Sequence, residues 1–179
     1  MSAAALNHIA DTLYARRVDE SIHAVVLMGT AHSFCAGVDT ARNPDDARMM
    51  IAAASEAIER VAEAIEDFPR PVVAAVDGIA AGVGLALALV CDITVSSDTS
   101  EFAIAQRHGY EFCDRTAAAL VAKRAGRARA LKMSSLGERL SARIAQEYGL
   151  IAESYPQAWF EQHVMDLVRR IAHDRSNVY

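Results

Sequence analysis

Pro71 is followed by Val72-Val73-Ala74-Ala75-Val76, an unbroken apolar run that opens into Asp77-Gly78-Ile79-Ala80-Ala81-Gly82-Val83-Gly84 and turns apolar again as far as Leu89. A short apolar run bounded by proline and glycine reads as a strand buried on both faces. The glycine-rich stretch then reads as a turn, 78–84, and the apolar remainder as a helix. A second segment has the same design. Ala24-Val25-Val26-Leu27-Met28 ends at Gly29 and leads into a loop-like stretch, 30–44, that holds Phe34-Cys35-Ala36-Gly37-Val38-Asp39.

Helices fill the space between such strands. Leu6, Ile9, Leu13 and Tyr14 recur at helical spacing near the start. Met50, Ala54, Ile58, Val61, Ile65 and Phe68 form the stripe of a long helix over 46–67, which Pro69 and Pro71 terminate. A third strand follows at 93–96. Helices are expected over 116–123, 128–135 and 141–148, the last of these stopped by Gly149, and a final one over 156–173 turns Phe160, Val164, Leu167 and Ile171 inward. Strands alternating with helices imply an α/β fold with a mainly parallel sheet, read here as one domain over 1–179.

The chain is 53% hydrophobic but only 6% aromatic, so alanine and aliphatic side chains must fill the interior. A net charge of −5 with both signs interspersed offers no basic face to nucleic acid. The most membrane-like stretch, 72–90, contains Asp77 and three glycines and is too short to span; no signal peptide is evident. Cys35, Cys91 and Cys113 cannot all pair and lack metal-ligand spacing, which reads as reduced thiols in a soluble cytoplasmic protein.

Chemistry is expected at the two turns. Glycine lets backbone approach a ligand, and a helix start carries free N–H donors with positive partial charge. Two such N–H groups converging on one oxygen make an oxyanion hole. Neither turn is specific alone, and the second lacks the full G-x-G-x-x-G spacing of a dinucleotide site.

The pair in this order resembles the crotonase (enoyl-CoA hydratase/isomerase) superfamily. Its pieces are V-V-L-x-G, F-C-A-G-x-D, P-V-V-A-A-V-x-G-x-A-x-G-x-G and C-D-I, and the likeness continues through Gly126-Arg127-Ala128-Arg129-Ala130-Leu131, Gly137-Glu138-Arg139-Leu140-Ser141-Ala142 and Tyr148-Gly149-Leu150-Ile151. The resemblance implies a crotonase-like spiral of β-β-α units, a kinship in fold with ClpP, and an acyl-CoA substrate with no separate cofactor or metal. It places the two donors on the N–H groups of Val38 and Val83. Ala36, Gly37, Asp39, Gly82 and Gly84 would line the thioester site, and Arg42 would either meet the CoA phosphates or remain a solvated loop residue.

Two departures matter. Hydratases of the family carry two glutamates where this chain has Ala86 and Gln106, and neither residue serves as a general acid or base. Relatives that lack them, the dienoyl-CoA isomerases and the 4-chlorobenzoyl-CoA dehalogenase, resemble this chain in a carboxylate eight residues further on, here Asp114. Asp114 is thus a candidate base or a helix cap, with His108 and Glu111 as backups. The resemblance further implies that a usual N-terminal strand pair and C-terminal trimerisation helices are lacking, and that the chain forms a trimer, a hexamer or a hetero-oligomer. Two readings stand: an isomerase- or hydratase-like enzyme, and a non-catalytic crotonase-like subunit that assists a partner. A ClpP-like protease is excluded because Gly82-Val83-Gly84 offers no serine.

Overall fold

The computed structural model describes residues 1–30, 33–38, 44–104 and 115–173. Its elements in order are α1 (Ala3–Arg16), β1 (Val25–Met28), β2 (Ser33–Cys35), α2 (Pro44–Glu66), β3 (Val72–Val76), β4 (Ile79–Ala81), α3 (Val83–Val90), β5 (Ile93–Ser97), β6 (Glu101–Ala103), α4 (Arg115–Ala125), α5 (Arg127–Leu136), β7 (Leu140–Ser141), α6 (Ala142–Glu147), β8 (Glu153–Tyr155) and α7 (Phe160–His173). A short 3-10 turn, Gln157–Trp159, leads into α7.

Local signals explain the helix ends. Ser2 caps α1 by accepting from the Ala5 N–H at 3.2 Å. Pro44 starts α2, where its missing N–H costs nothing, and Asp45 and Asp46 complement the positive end of the helix. Ala54, Ile58, Val61 and Ile65 of the expected stripe are buried, and Arg60 ties α2 to α1 through Asn7 and Asp11.

The strands form two sheets, ordered β1-β3-β5-β8 and β2-β4-β6-β7. The first is wholly parallel, with Val25 opposite Val72, Val73 opposite Ile93 and Val95 opposite Glu153. In the second only β7 runs antiparallel. From β1 to β6 consecutive strands thus go to different sheets and a helix follows each pair, which is the β-β-α step of a crotonase-type spiral. Strand β3 is buried along its whole length because both faces are covered. Val72, Ala74 and Val76 belong to the main core with α1, α2 and α3, while Val73 and Ala75 pack with Val95 against Phe160 and Val164 of α7.

The structure corrects two expectations. The stretch 30–44, read as loop, contains β2, and the glycine-rich turn 78–84 contains β4. Each is three residues long, too short for any periodicity to mark it. Glycine makes these short returns possible: a Cβ on Gly29 would lie 2.1 Å from the Ser33 carbonyl oxygen, and Gly78 holds φ 81°. Strands β6, β7 and β8, two or three residues each, were likewise not anticipated. Among the described residues no helix is long and apolar enough to cross a membrane.

Candidate functional site

Helix α3 lies at the centre of the molecule, with Val83 to Leu89 all buried. Its two ends are treated differently. The last four carbonyls of a helix lack intrahelical partners, and here three different side chains reach them. Cys91 Sγ donates to the Leu87 carbonyl at 3.3 Å, Thr94 Oγ1 to Ala88 at 2.7 Å, and Arg124 Nη2 to Leu89 at 2.6 Å. Arg124 also reaches the Cys91 carbonyl at 3.1 Å. Burial pushes the Cys91 thiol up to about 12, so it stays protonated and able to donate. Burial lowers the pKa of Arg124, and the neighbouring Cys91 and Asp92 oppose that shift.

At the other end, Gly82 is the N-cap at φ 54°, a backbone conformation that only glycine adopts freely. Its N–H donates to the Ala103 carbonyl and its carbonyl accepts from Ala86 N–H, both at 3.0 Å. Helix geometry leaves the N–H groups of Val83, Gly84 and Leu85 without carbonyl partners inside α3. Positive partial charge therefore collects at this end.

The first turn lies against it. A Cβ on Gly84 would sit 2.1 Å from the Cys35 carbonyl oxygen and 2.6 Å from Cys35 Cβ, so the start of α3 and the end of β2 touch backbone to backbone. Strands β2 and β4 pair as well, Cys35 opposite Ala80. Beyond Cys35 the chain passes through exposed Ala36 and buried Gly37, at φ 121°, to half-buried Val38. The Gly37 carbonyl accepts from the Met1 amino group at 2.6 Å and from Cys35 Sγ at 3.7 Å. In a trans peptide the N–H points opposite to the C=O. Val38 N–H is therefore turned away from Met1 and Cys35.

Of the sequence candidates, Gly84 abuts Cys35, from which Ala36, Gly37 and Val38 follow along the chain, and Gly82 and Val83 directly precede Gly84. Asp39, Arg42, Gln106, His108, Glu111 and Asp114 lie outside the described residues, as does Cys113. Helix α4 begins at Arg115, so Asp114 immediately precedes it in sequence. Ala86 is fully buried within α3. Asp92, expected to have a structural role, accepts from Val72 N–H at 2.7 Å at the start of β3. Cys35 and Cys91 are buried, as core residues should be. Sequence reasoning missed Thr94 and Arg124. Arg124 has the look of a basic residue completing its own helix α4, and nothing local points it across to α3.

A separate cavity of about 700 Å³ opens at the opposite end of β2, lined by Met28, Ser33, Asp77, Trp159, Met165 and Arg169 among others. None of the candidate residues lines it.

A profile of the enoyl-CoA hydratase/isomerase family matches residues 1–179. The chain belongs to that family. It is 33% identical over 140 residues to a probable enoyl-CoA hydratase of Rhodobacter capsulatus, covering 78% of this chain and 54% of the relative. It is 32% identical over 162 residues to the 1,2-epoxyphenylacetyl-CoA isomerase of Escherichia coli, covering 86% and 60%. The chain thus spans little more than half the length of these two family members. A crystal structure of an enoyl-CoA hydratase/isomerase family protein from Silicibacter pomeroyi superposes with a TM-score of 0.82 at 31% identity, covering 97% of this chain and 74% of that one. The fold is that of the crotonases.

Proposed function

We propose that the chain binds an acyl-CoA thioester and stabilises its enolate, with the thioester oxygen held by the N–H groups of Val38 and Val83. The observation that carries this reading is the contact between Gly84 and Cys35, which sets a helix start with open N–H groups beside a turn whose carbonyl faces the other way. Each donor of such a pair contributes about 2.7–4 kcal/mol to the transition state. Both relatives and the solved structure named above carry CoA chemistry in their names, which supports the substrate class.

In this scheme Asp114 takes a proton from the carbon activated by the thioester. The C–H electron pair moves into the new C=C bond, and the carbonyl π pair moves onto the oxygen held by the two N–H groups. Return of the proton at another carbon completes an isomerisation. In a hydration Asp114 instead takes its proton from water: the water oxygen bonds to the β-carbon of a 2-enoyl thioester, the C=C pair shifts to form the same enolate, and a proton then adds at the α-carbon. The paired-glutamate hydration route is not available, because buried Ala86 offers no acid or base. That same substitution favours a second reading, a crotonase-like subunit that keeps the thioester site and assists a partner. Arg42 would meet the CoA phosphates in either case, and assembly as a trimer, a hexamer or a hetero-oligomer belongs to both.

The test is hydrogen exchange in D2O with a panel of acyl-CoA thioesters, run beside Asp114→Asn. Uptake abolished by the substitution is expected. Uptake that survives it moves the base to His108 or Glu111, and no uptake with any thioester leaves the assisting-subunit reading.

A further inference from the structure

Helix α3 is Val-Gly-Leu-Ala-Leu-Ala-Leu-Val, eight residues with no polar side chain. Apolar packing is non-directional, and besides it the start of the helix abuts Cys35 through Gly84. Directional restraint has to come from the ends. At the N-terminus Gly82 supplies one bond to Ala103, and the N–H groups beyond it are those the thioester reading needs for substrate. The side-chain hydrogen bonds to α3 are at the C-terminus, where Cys91 and Thr94 lie just beyond α3 in the same chain segment.

Arg124 differs from both. It comes from α4, packs beside α3, and its Nη2 reaches two carbonyls at once, Leu89 at 2.6 Å and Cys91 at 3.1 Å. A half-buried guanidinium donating to two backbone oxygens is a charge-assisted clamp, stronger than a neutral hydrogen bond and narrow in geometry. It sits where a cation complements the negative end of the helix. Asp92, beside it, is committed to the Val72 N–H at 2.7 Å, so the same corner also ties down the start of β3.

We propose that Arg124 is a positioning residue for the thioester site: by clamping the C-terminus of α3 it fixes where the Val83 N–H, at the other end of that helix, points. It touches no substrate and acts through α3. The inference rests on the reading of Val83 N–H as a donor to the thioester oxygen.

The experiment is an isotope-edited infrared difference spectrum of the carbonyl of butyryl-CoA, bound at saturation to the full chain and to Arg124→Met and Arg124→Lys. Carbonyl frequency reports how well the donors are aimed, and general loss of stability in a protein that stays folded and liganded does not move it. The parent is expected to lower the carbonyl frequency on binding, Arg124→Met to lose most of that downshift, and Arg124→Lys, which keeps the charge without the planar fork, to fall between them. A full downshift in both variants overturns the inference while leaving the thioester reading intact. Absence of any downshift in the parent overturns the thioester reading itself, and the inference with it. If Arg124→Met does not fold, Arg124→Lys decides: a reduced shift supports the clamp and an unchanged one refutes it.

Discussion

Gly84→Ala tests the junction on which the site depends. Gly84 has ordinary helical backbone, so alanine meets no conformational objection there and gains about 1 kcal/mol of helix preference. The objection is steric. Its Cβ would stand 2.1 Å from the Cys35 carbonyl oxygen, against an ordinary contact of 3.4–4 Å, so the two backbones must part by about 1.3 Å. The opposing atoms include the Cys35 carbonyl carbon at 2.8 Å, which no rotamer change can move. Overpacking of this kind costs about 3 kcal/mol at the upper end of its usual range. Set against the helix gain, a net loss of ~2 kcal/mol remains, which for a chain of this length lowers Tm by about 4–8 °C. Separation on the scale of 1 Å also misaims the two N–H donors, and such displacement costs on the order of a hundredfold in rate. Differential scanning calorimetry reads the first effect and deuterium uptake from D2O the second. A variant that melts within about 1 °C of the parent and exchanges at the parent's rate would show that the two turns do not bear on each other as described.

Thr94→Val keeps the shape of the side chain but leaves the buried Ala88 carbonyl without its 2.7 Å partner. A loss of about 1–3 kcal/mol is expected, seen as a lower urea midpoint at unchanged slope; an unchanged midpoint contradicts the end-anchoring of α3. Tyr155 is raised to about 12 from its ordinary 10.0, first by burial and then by its hydrogen bond to Glu153. The folded state therefore holds this proton more tightly than the unfolded chain does. Its contribution to stability is complete below the unfolded pKa and disappears as pH rises through about 12. The difference in phenolate absorbance between the parent and Tyr155→Phe should rise near the upper value, and a rise near the ordinary tyrosine pKa contradicts the assignment.

The long elements were readable because length lets a pattern declare itself. The α2 stripe through Ala54, Ile58, Val61 and Ile65 repeats over several turns, and β3 is a continuous apolar run because helices cover both its faces. Strands β2, β4 and β6 carry no such pattern, since three residues show no period, and glycines near β2 and β4 make those stretches look like turn. The same division holds at the site. Glycines mark both turns, so the turns themselves stand out in the sequence, while the assignment of Val38 and Val83 as donors comes from the family resemblance. The Gly84–Cys35 contact joins residues far apart in sequence, and the reach of Arg124 to Leu89 spans 35 positions, so neither leaves a trace in any local window.

The interleaving of the two sheets has a consequence for synthesis. Strand β1 finds its partner only when β3 emerges, with Val25 waiting for Val72 and α2 made in between. Roughly fifty residues of translation, at ~5–20 residues per second, amount to about 2 to 10 s during which a Val-Val-Leu-Met edge is exposed on the nascent chain. The parallel sheet closes in the order of translation, β1 with β3, then β5, then β8. Each new strand covers one edge of the strand before it, and the polar β8, Glu-Ser-Tyr, ends the series, so slow codons would be least harmful just after a new strand has docked.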